Sequence, residues 1–580
     1  MIWKTSPSMV LGNLICRLIK SALPALILYV GKLIIDEAIL QYNQVNKDLD
    51  YIYMLVLVEL LLVILSEFLS RQISLLDSLV GDLFSNASSV RIMQHAAQLD
   101  LSQFEDAAFY DKMERARRQT VGRSVLLSQL LSQLQDIVTI FFLGLGLVFL
   151  IPWLIPILLV SVIPSFLGET HFNAKSYSLT RNWTPKRREL DYLRYIGASN
   201  ETAKEIKIFG LSDFITNRFS EVADKYYEEN KKLAITRFRW GIALSFIGTA
   251  GYYGAYVIIL LQTVNGSITI GDLAFLSGSF SKMKSTMEGI LSKFSSMAES
   301  ALYLQDFFDF FKIEPKIIAP EQSIPFPSPI REGFVFENVG FKYDNADKWA
   351  LRHLNLTLTK GEKIALVGEN GSGKTTLTKL LARLYDPTEG RILLDGVDLK
   401  LYDPAELRKS IGVIFQDFVR FQMLSSDNIA VGKIDEKNNP EAIIEAARLS
   451  LADEVIESLP KKYEQMIGRR FDDGVDLSGG QWQKIALGRA FMREAQVIIL
   501  DEPTAALDAR AEHEVFLRFS ELTKGKTSVL ISHRFSTVRM ADRILVLHEG
   551  QLEEEGSHET LLENNGKYAE LFRLQARGYL

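Results

Sequence analysis

The sequence predicts two folds in one chain: an α-helical transmembrane domain of six spans with long extensions on one side, then an α/β domain. Three observations carry this. Long apolar runs are confined to residues before about 310. The stretch Leu366-Val367-Gly368-Glu369-Asn370-Gly371-Ser372-Gly373-Lys374-Thr375-Thr376 fits G-x-x-x-x-G-K-[ST], a glycine-rich turn between a buried strand and a helix. Val497-Ile498-Ile499-Leu500 is a continuous apolar run ending in the acids Asp501 and Glu502, as in a parallel strand buried on both faces. The second half is therefore of the α/β P-loop NTPase class.

At 580 residues the chain exceeds what one hydrophobic core organises, so at least two domains are expected. A net charge of −6 is small for this length and argues against a nucleic-acid partner. Cys16 is the only cysteine, which excludes an intrachain disulfide and leaves the α/β half without a thiol, as suits a cytosolic domain. The first apolar segment carries Arg17, Lys20 and Lys32, and no small-residue cleavage site follows it. It reads as a retained span rather than a signal peptide.

A span needs about 20 mostly apolar residues. The candidates are 9–40, 51–76, 125–151, 154–176, 236–263 and 268–304, five of them plain from hydropathy. Ile151-Pro152-Trp153 makes a tight turn between the third and fourth, with Trp153 suited to an interface. The connections near 41–50 and 263–267 are short and carry Lys47 alone, whereas 77–124 and 177–235 are long and basic, with Arg91, Arg115, Arg117, Arg118 and Arg123, then Arg181, Lys186, Arg187 and Arg188. The positive-inside rule puts the long connections and the α/β domain on the cytoplasmic side.

The sixth span is unusual. Leu273, Leu276, Phe280, Met283, Met287, Ile290 and Phe294 repeat in steps of three and four, while Lys282, Lys284, Glu288 and Lys293 occupy other faces. Such a helix cannot face lipid all round. Over 270–288 it is expected to line a water-filled cavity, with Ser277, Ser281 and Lys284 on the polar face. Past about 290 it reads as a solvated helix. Glu59 has two readings, a pathway carboxylate or an interhelix hydrogen bond, and Pro24 and Pro164 mark kinks.

A proline-containing linker, Pro315–Pro329, separates the halves. The expected domains are 1–312 (transmembrane), 313–332 (linker) and 333–580 (nucleotide-binding). Lys363–Val367 is a buried strand feeding the loop Gly368, Glu369, Asn370, Gly371, Ser372 and Gly373, whose amides approach phosphate closely. Lys374 would pair with the β- and γ-phosphates of ATP, and Thr375, followed by Thr376, would ligate Mg²⁺. Asp501 would hold the same Mg²⁺ through water, and Glu502 would polarise the attacking water.

Leu477-Ser478-Gly479-Gly480-Gln481 follows the glycine loop by about a hundred residues and opens a helix expected over Gln483–Glu494. The two motifs in this order resemble the ATP-binding cassette, and the whole chain resembles a half-size bacterial ABC exporter of the type called IV. The resemblance implies further roles. Gln416, ending the strand Ile411–Phe415, would reach the metal and the lytic water. His533, after the strand Ser528–Ile531, would contact the γ-phosphate. Tyr343, on an early strand, would stack on adenine, with edge packing as the alternative. Asp508 closes the D-loop Pro503–Asp508. Ser478, Gly479, Gly480 and Gln481 would bind the ATP held by the opposite subunit. Phe104, Phe109 and Tyr110, and Phe209-Gly210-Leu211 with Phe214, look like coupling helices; local packing is the other reading. Lys484 and Ala506 depart from the commoner arginine and serine without removing a catalytic group.

The function so implied is ATP-driven export of a small amphipathic or peptide-like compound by alternating access of a homodimer, a heterodimer also being compatible. ATP hydrolysis is coupled to transport across the bacterial cell (inner) membrane, among its lipids, with the ATPase cytoplasmic. The alternatives are a lipid or lipid-linked glycan flippase and an ATP-gated regulator or channel; an intact Glu502 weighs against the last. No cysteine-protease domain precedes the first span, so the chain is expected not to process its cargo. Lys282 and Lys284 would favour an anionic group on that cargo.

Overall fold

The computed structural model describes residues 6–344, 346–502, 513–514, 517–520, 523–532 and 534–577. Two compact units make up the chain: Met1–Ala97 with Asp111–Ile313, and Gln98–Tyr110 with Glu314–Leu580.

Before the first strand the helices are α1 (Pro7–Tyr42), α2 (Asp50–Gln98), α3 (Leu101–Phe104), α4 (Ala107–Leu150), α5 (Leu154–Asn182), α6 (Thr184–Gly197), α7 (Ala203–Ile208), α8 (Ser212–Val264) and α9 (Ile270–Phe311). At about 1.5 Å per residue the 36 residues of α1 and the 53 of α8 far exceed a hydrocarbon layer of about 30 Å. Among the described residues, five helices carry a stretch long and apolar enough to span: α1, α2, Ser128–Leu150 in α4, Leu154–Ser176 in α5, and α8. The sixth, α9, is too charged to qualify, yet it is continuous over 42 residues and opens on a Thr269–Asp272 capping box.

The apolar stripe of α9 explains its place in the unit. Leu276, Phe280 and Met283 are buried with Leu143 and Leu147 of α4, Leu154 and Leu158 of α5, and Ala255 and Ile259 of α8. Small residues let α5 and α8 come close: a Cβ on Gly251 would fall 1.9 Å from the Ser161 hydroxyl. Several charges within these helices are paired, as burial away from water favours. Arg17 reaches Asp77 at 2.6 Å, Lys32 reaches Asp272 at 2.5 Å and Lys293 reaches Asp136 at 2.8 Å.

The second unit holds two sheets. One is antiparallel, ordered β2-β1-β4-β5, from β1 (Gly333–Phe341), β2 (Leu351–Thr359), β4 (Glu389–Leu394) and β5 (Val397–Asp398). The other is ordered β10-β9-β3-β8-β7-β6, from β3 (Lys363–Val367), β6 (Ile411–Ile414), β7 (Val497–Asp501), β8 (Thr527–Ile531), β9 (Arg543–His548) and β10 (Gln551–Gly556). Within it β9, β3, β8, β7 and β6 run parallel. Residues 98–110, from the first long connection of the helical half, are part of this unit. Leu101 packs on its sheet core, and the Asp100 carboxylate accepts the backbone N–H groups of Lys316 and Ile317 at 2.5 and 3.2 Å.

Candidate nucleotide site

Parallel strands carry ligands at their C-terminal edge. There β3 gives way to the glycine loop and α10 (Lys374–Leu381), while β7, two strands away across β8, ends at Asp501. Gly373 caps α10 at φ +101°, and a Cβ there would lie 2.6 Å from Leu351 Cδ2 and 2.7 Å from the Ala350 carbonyl. Only glycine fits that turn.

Lys374 is buried and spans the loop, its Nζ donating to the carbonyls of Gly368 at 2.9 Å and Glu369 at 2.8 Å. Burial pushes its pKa down, against the pull of Glu502 and Asp501. Ser372 is buried under the same loop, whereas Asn370 and Gly371 are exposed. Glu369 points out to an ion pair with Lys567 at 3.0 Å, which holds its carboxyl below the ordinary range.

Thr375 Oγ1 donates to Asp501 Oδ2 at 2.9 Å. Burial raises the Asp501 carboxyl, the Thr375 bond opposes the shift, and Glu502 adds to it. Glu502 follows at φ +48°, where a non-glycine residue is uncommon. Its N–H donates to the Ile531 carbonyl at 3.0 Å, and its Oε2 accepts from Gln416 Nε2 at 3.0 Å. The donor set Thr375 hydroxyl, Asp501 carboxylate and Gln416 amide oxygen is the hard-oxygen chemistry that suits Mg²⁺. Gln483 Nε2 reaches the Glu502 carbonyl at 3.4 Å, a support that no pattern in the sequence signals.

Several expectations are corrected. Tyr343 lies two residues beyond β1, because the strand ends at Phe341 as the chain leaves the sheet. Its hydroxyl shares a hydrogen bond with Thr376 Oγ1 at 3.2 Å, and its ring packs edge-on against Phe341 and Tyr385. Gln416 likewise stands two residues past β6, exposed. The signature helix α11 starts at Gly479 rather than Gln483 and ends at Met492. The reason is a reciprocal cap: the Ser478 side chain accepts the Gln481 N–H, and the Gln481 side chain accepts the Ser478 N–H. Ser478 and Gly479 are exposed at this helix end. His533 and Asp508 lie outside the described residues. On α9, Lys284 does not project freely: it pairs with Glu288 at 3.3 Å and lies against Gly248 of α8. Ser281 is exposed, Ser277 is half-buried with its hydroxyl donating to the Ala274 carbonyl at 3.3 Å, and Lys282 is exposed.

A family model described as "ABC transporter" matches residues 351–505. The subtilin transport ATP-binding protein SpaT of Bacillus subtilis is 30% identical over 562 residues, 96% of this chain and 89% of that protein. The chain belongs to the ABC transporter family. The transporter is also 29% identical to the nisin transport ATP-binding protein NisT of Lactococcus lactis, over 84% of this chain and 82% of that one. An ATP-dependent lipid A-core flippase of Alcanivorax borkumensis is 32% identical, over 73% and 71% of the two chains. The fold matches the structure of a bacterial Atm1-family ABC exporter with ATP bound, with a TM-score of 0.83 over 98% of each chain at 24% identity. The transporter is thus a half-size exporter of the membrane, with a helical transmembrane half and an ATP-hydrolysing cassette.

Proposed function

We propose that this transporter works as a homodimer that exports a small amphipathic or peptide-like compound by alternating access across the cell (inner) membrane, with its cassettes cytoplasmic. The observation that carries the mechanism is the meeting of Lys374, Thr375, Asp501, Glu502 and Gln416 at one sheet edge. Lys374 binds the β- and γ-phosphates, and the loop amides with the N-terminus of α10 cradle them. Thr375, Asp501 and Gln416 would hold Mg²⁺, which supplies charge neutralisation on the phosphates. Glu502, held by Gln416, orients and deprotonates the attacking water. Tyr343 stacks on the base. The exposed Ser478–Gln481 helix start binds the γ-phosphate of the ATP held by the second copy, so each ATP lies between two chains.

The cargo reading rests on relatives named for the transport of subtilin and of nisin, the former covering nearly the whole chain. A lipid flippase is the second reading, supported by relatives named as lipid A-core flippases. ATPase activity in lipid nanodiscs, measured against a panel of peptides, drugs and lipids, separates them. Stimulation by amphipathic peptides is expected, and stimulation by lipid alone would replace export with flipping.

A further inference from the structure

Glu105 stands just past α3, within the second unit, and does two things at once. Its Oε2 accepts from the Tyr385 hydroxyl at 2.5 Å, and its Oε1 accepts from Lys379 Nζ at 3.1 Å. Tyr385 is buried and Lys379 partly so, while Glu105 is half-exposed. Both partners touch Tyr343. The Tyr385 and Tyr343 rings meet edge to face with centroids 5.5 Å apart, and Lys379 Nζ lies 5.6 Å from the centroid of each ring. Tyr343 in turn reaches Thr376, in the first turn of α10 behind the glycine loop. Beside this chain of contacts is a cavity of about 430 Å³, lined among others by Tyr343, Tyr385, Glu105, Asp100, Lys316 and Thr388. That is within the size range of ligand pockets.

We infer that Glu105 is a positioning residue for the nucleotide base: by holding Lys379 and Tyr385 it sets the Tyr343 ring, and the short helix α3 walls the base pocket. This rests on the reading of Tyr343 as the base-stacking residue. The physical case is one of constraint. A tyrosine outside a strand has no ladder to fix it, so its ring is oriented only by neighbours. The Lys379 ammonium could swing to solvent, but the Glu105 carboxylate ties it over the two rings. The same carboxylate fixes the Tyr385 hydroxyl, whose ionisation burial and Glu105 together push far up. Because α3 belongs to the first long connection of the helical half, base occupancy and the seating of that connection become one linked equilibrium. Linkage makes the effect reciprocal: whatever unseats α3 weakens base binding by the factor with which the base seats α3.

The test uses the full-length protein in nanodiscs and two probes, ATP and inorganic triphosphate, each displacing a fluorescent ATP analogue. Triphosphate has no base, so it reads the glycine loop alone. Glu105→Gln and, separately, Tyr385→Phe should weaken ATP binding by about three- to tenfold and leave triphosphate within twofold. In a Tyr343→Ala background Glu105→Gln should add nothing beyond twofold, the signature of action through that ring. Equal weakening of both probes would mean a general structural role and overturn the inference, as would unchanged ATP affinity in Glu105→Gln when Tyr343→Ala weakens it. If Tyr343→Ala itself leaves ATP affinity unchanged, the stacking reading falls first, and the inference with it.

Discussion

Thr375 and Asp501 are 126 residues apart in sequence, yet the threonine hydroxyl donates to the carboxylate at 2.9 Å. This bond joins the strand that carries the phosphate loop to the strand that carries the acids. A carboxylate that is 2% exposed, held by a neutral hydroxyl and with Glu502 nearby, is poised for a divalent cation.

Asp501→Asn should therefore stabilise the metal-free protein while abolishing its response to MgATP. Burial raises the Asp501 pKa, so as pH falls the folded state protonates before the unfolded chain does. Between the two pKa values the folded state holds more protons, and stability falls as pH rises through that window. Asparagine removes the charge and with it this loss. The variant should therefore melt at a higher temperature than the parent protein when metal is absent. Thermal unfolding in EDTA reads it; a lower melting temperature in the variant would contradict the account.

Lys374→Ala should weaken ATP binding by about tenfold or more. The ammonium now donates to two loop carbonyls and would transfer to phosphate; charge-assisted bonds of this kind contribute about 1.5–3 kcal/mol. Equilibrium binding of ATP in nanodiscs measures it, and wild-type affinity would remove the role assigned to Lys374.

Much of the cassette could be read in advance because its signals are local. The glycine loop, the apolar run into Asp501 and Glu502, and Ser478 with Gln481 three residues on are contiguous patterns whose backbone geometry follows from residue type. Strand order is different: nothing local says that β8 lies between β3 and β7, which brings Thr375 to Asp501. The Glu105 contacts with Lys379 and Tyr385 cross 274 and 280 residues, and a lone glutamate after a short helix carries no periodicity to announce them. On α9 the stripe of Leu276, Phe280 and Met283 identified the buried face, but the polar face could not be divided further. Lys284 and Lys282 look alike in sequence, and the close approach of Gly248 is what separates them.

Glu502→Gln should retain ATP binding and lose steady-state hydrolysis by on the order of a hundredfold or more, since an amide cannot take a proton from water. The partnership with Gln416 can persist through the remaining amide oxygen, so the site should not collapse. An ATP-bound closed dimer should accumulate, seen as nucleotide retained through gel filtration. Hydrolysis at the wild-type rate would remove Glu502 from the chemistry.

Ser478 and Lys374 should act on one ATP from two chains. In a dimer that pairs a Lys374→Ala chain with a Ser478→Ala chain, one composite site carries both lesions and the other carries none. Tagged co-purification yields that mixed dimer. Its nucleotide retention, in a Glu502→Gln background, should exceed that of either homodimer, which has one lesion in every site. Retention no better than the homodimers would argue that each site is built from a single chain.

The last prediction concerns α9. Its apolar stripe is buried, with Phe280 and Met283 packed among α4, α5 and α8, while Ser281 and Lys282 are exposed. Lys284 is tied to Glu288 and rests on Gly248. If the exposed face lines a watery path, cysteines at 281 and 282, in a Cys16→Ser background, should react quickly with a membrane-impermeant thiol reagent. Cysteines at 280, 283 and 284 should react more slowly. The contrast between 282 and 284 is the sharp one, because hydropathy alone would make them equal. Trapping ATP with Glu502→Gln should then change labelling at 281 and 282 from the cytoplasmic side, since alternating access closes that entrance. An exposed ammonium at Lys282 is sustainable there only beside water or an anionic group. Accordingly Lys282→Gln should leave basal ATPase activity intact while reducing stimulation by acidic peptides more than by neutral ones. Positions 281 and 282 that stay unreactive in both states would set this face against protein or lipid and end the case for an anionic cargo.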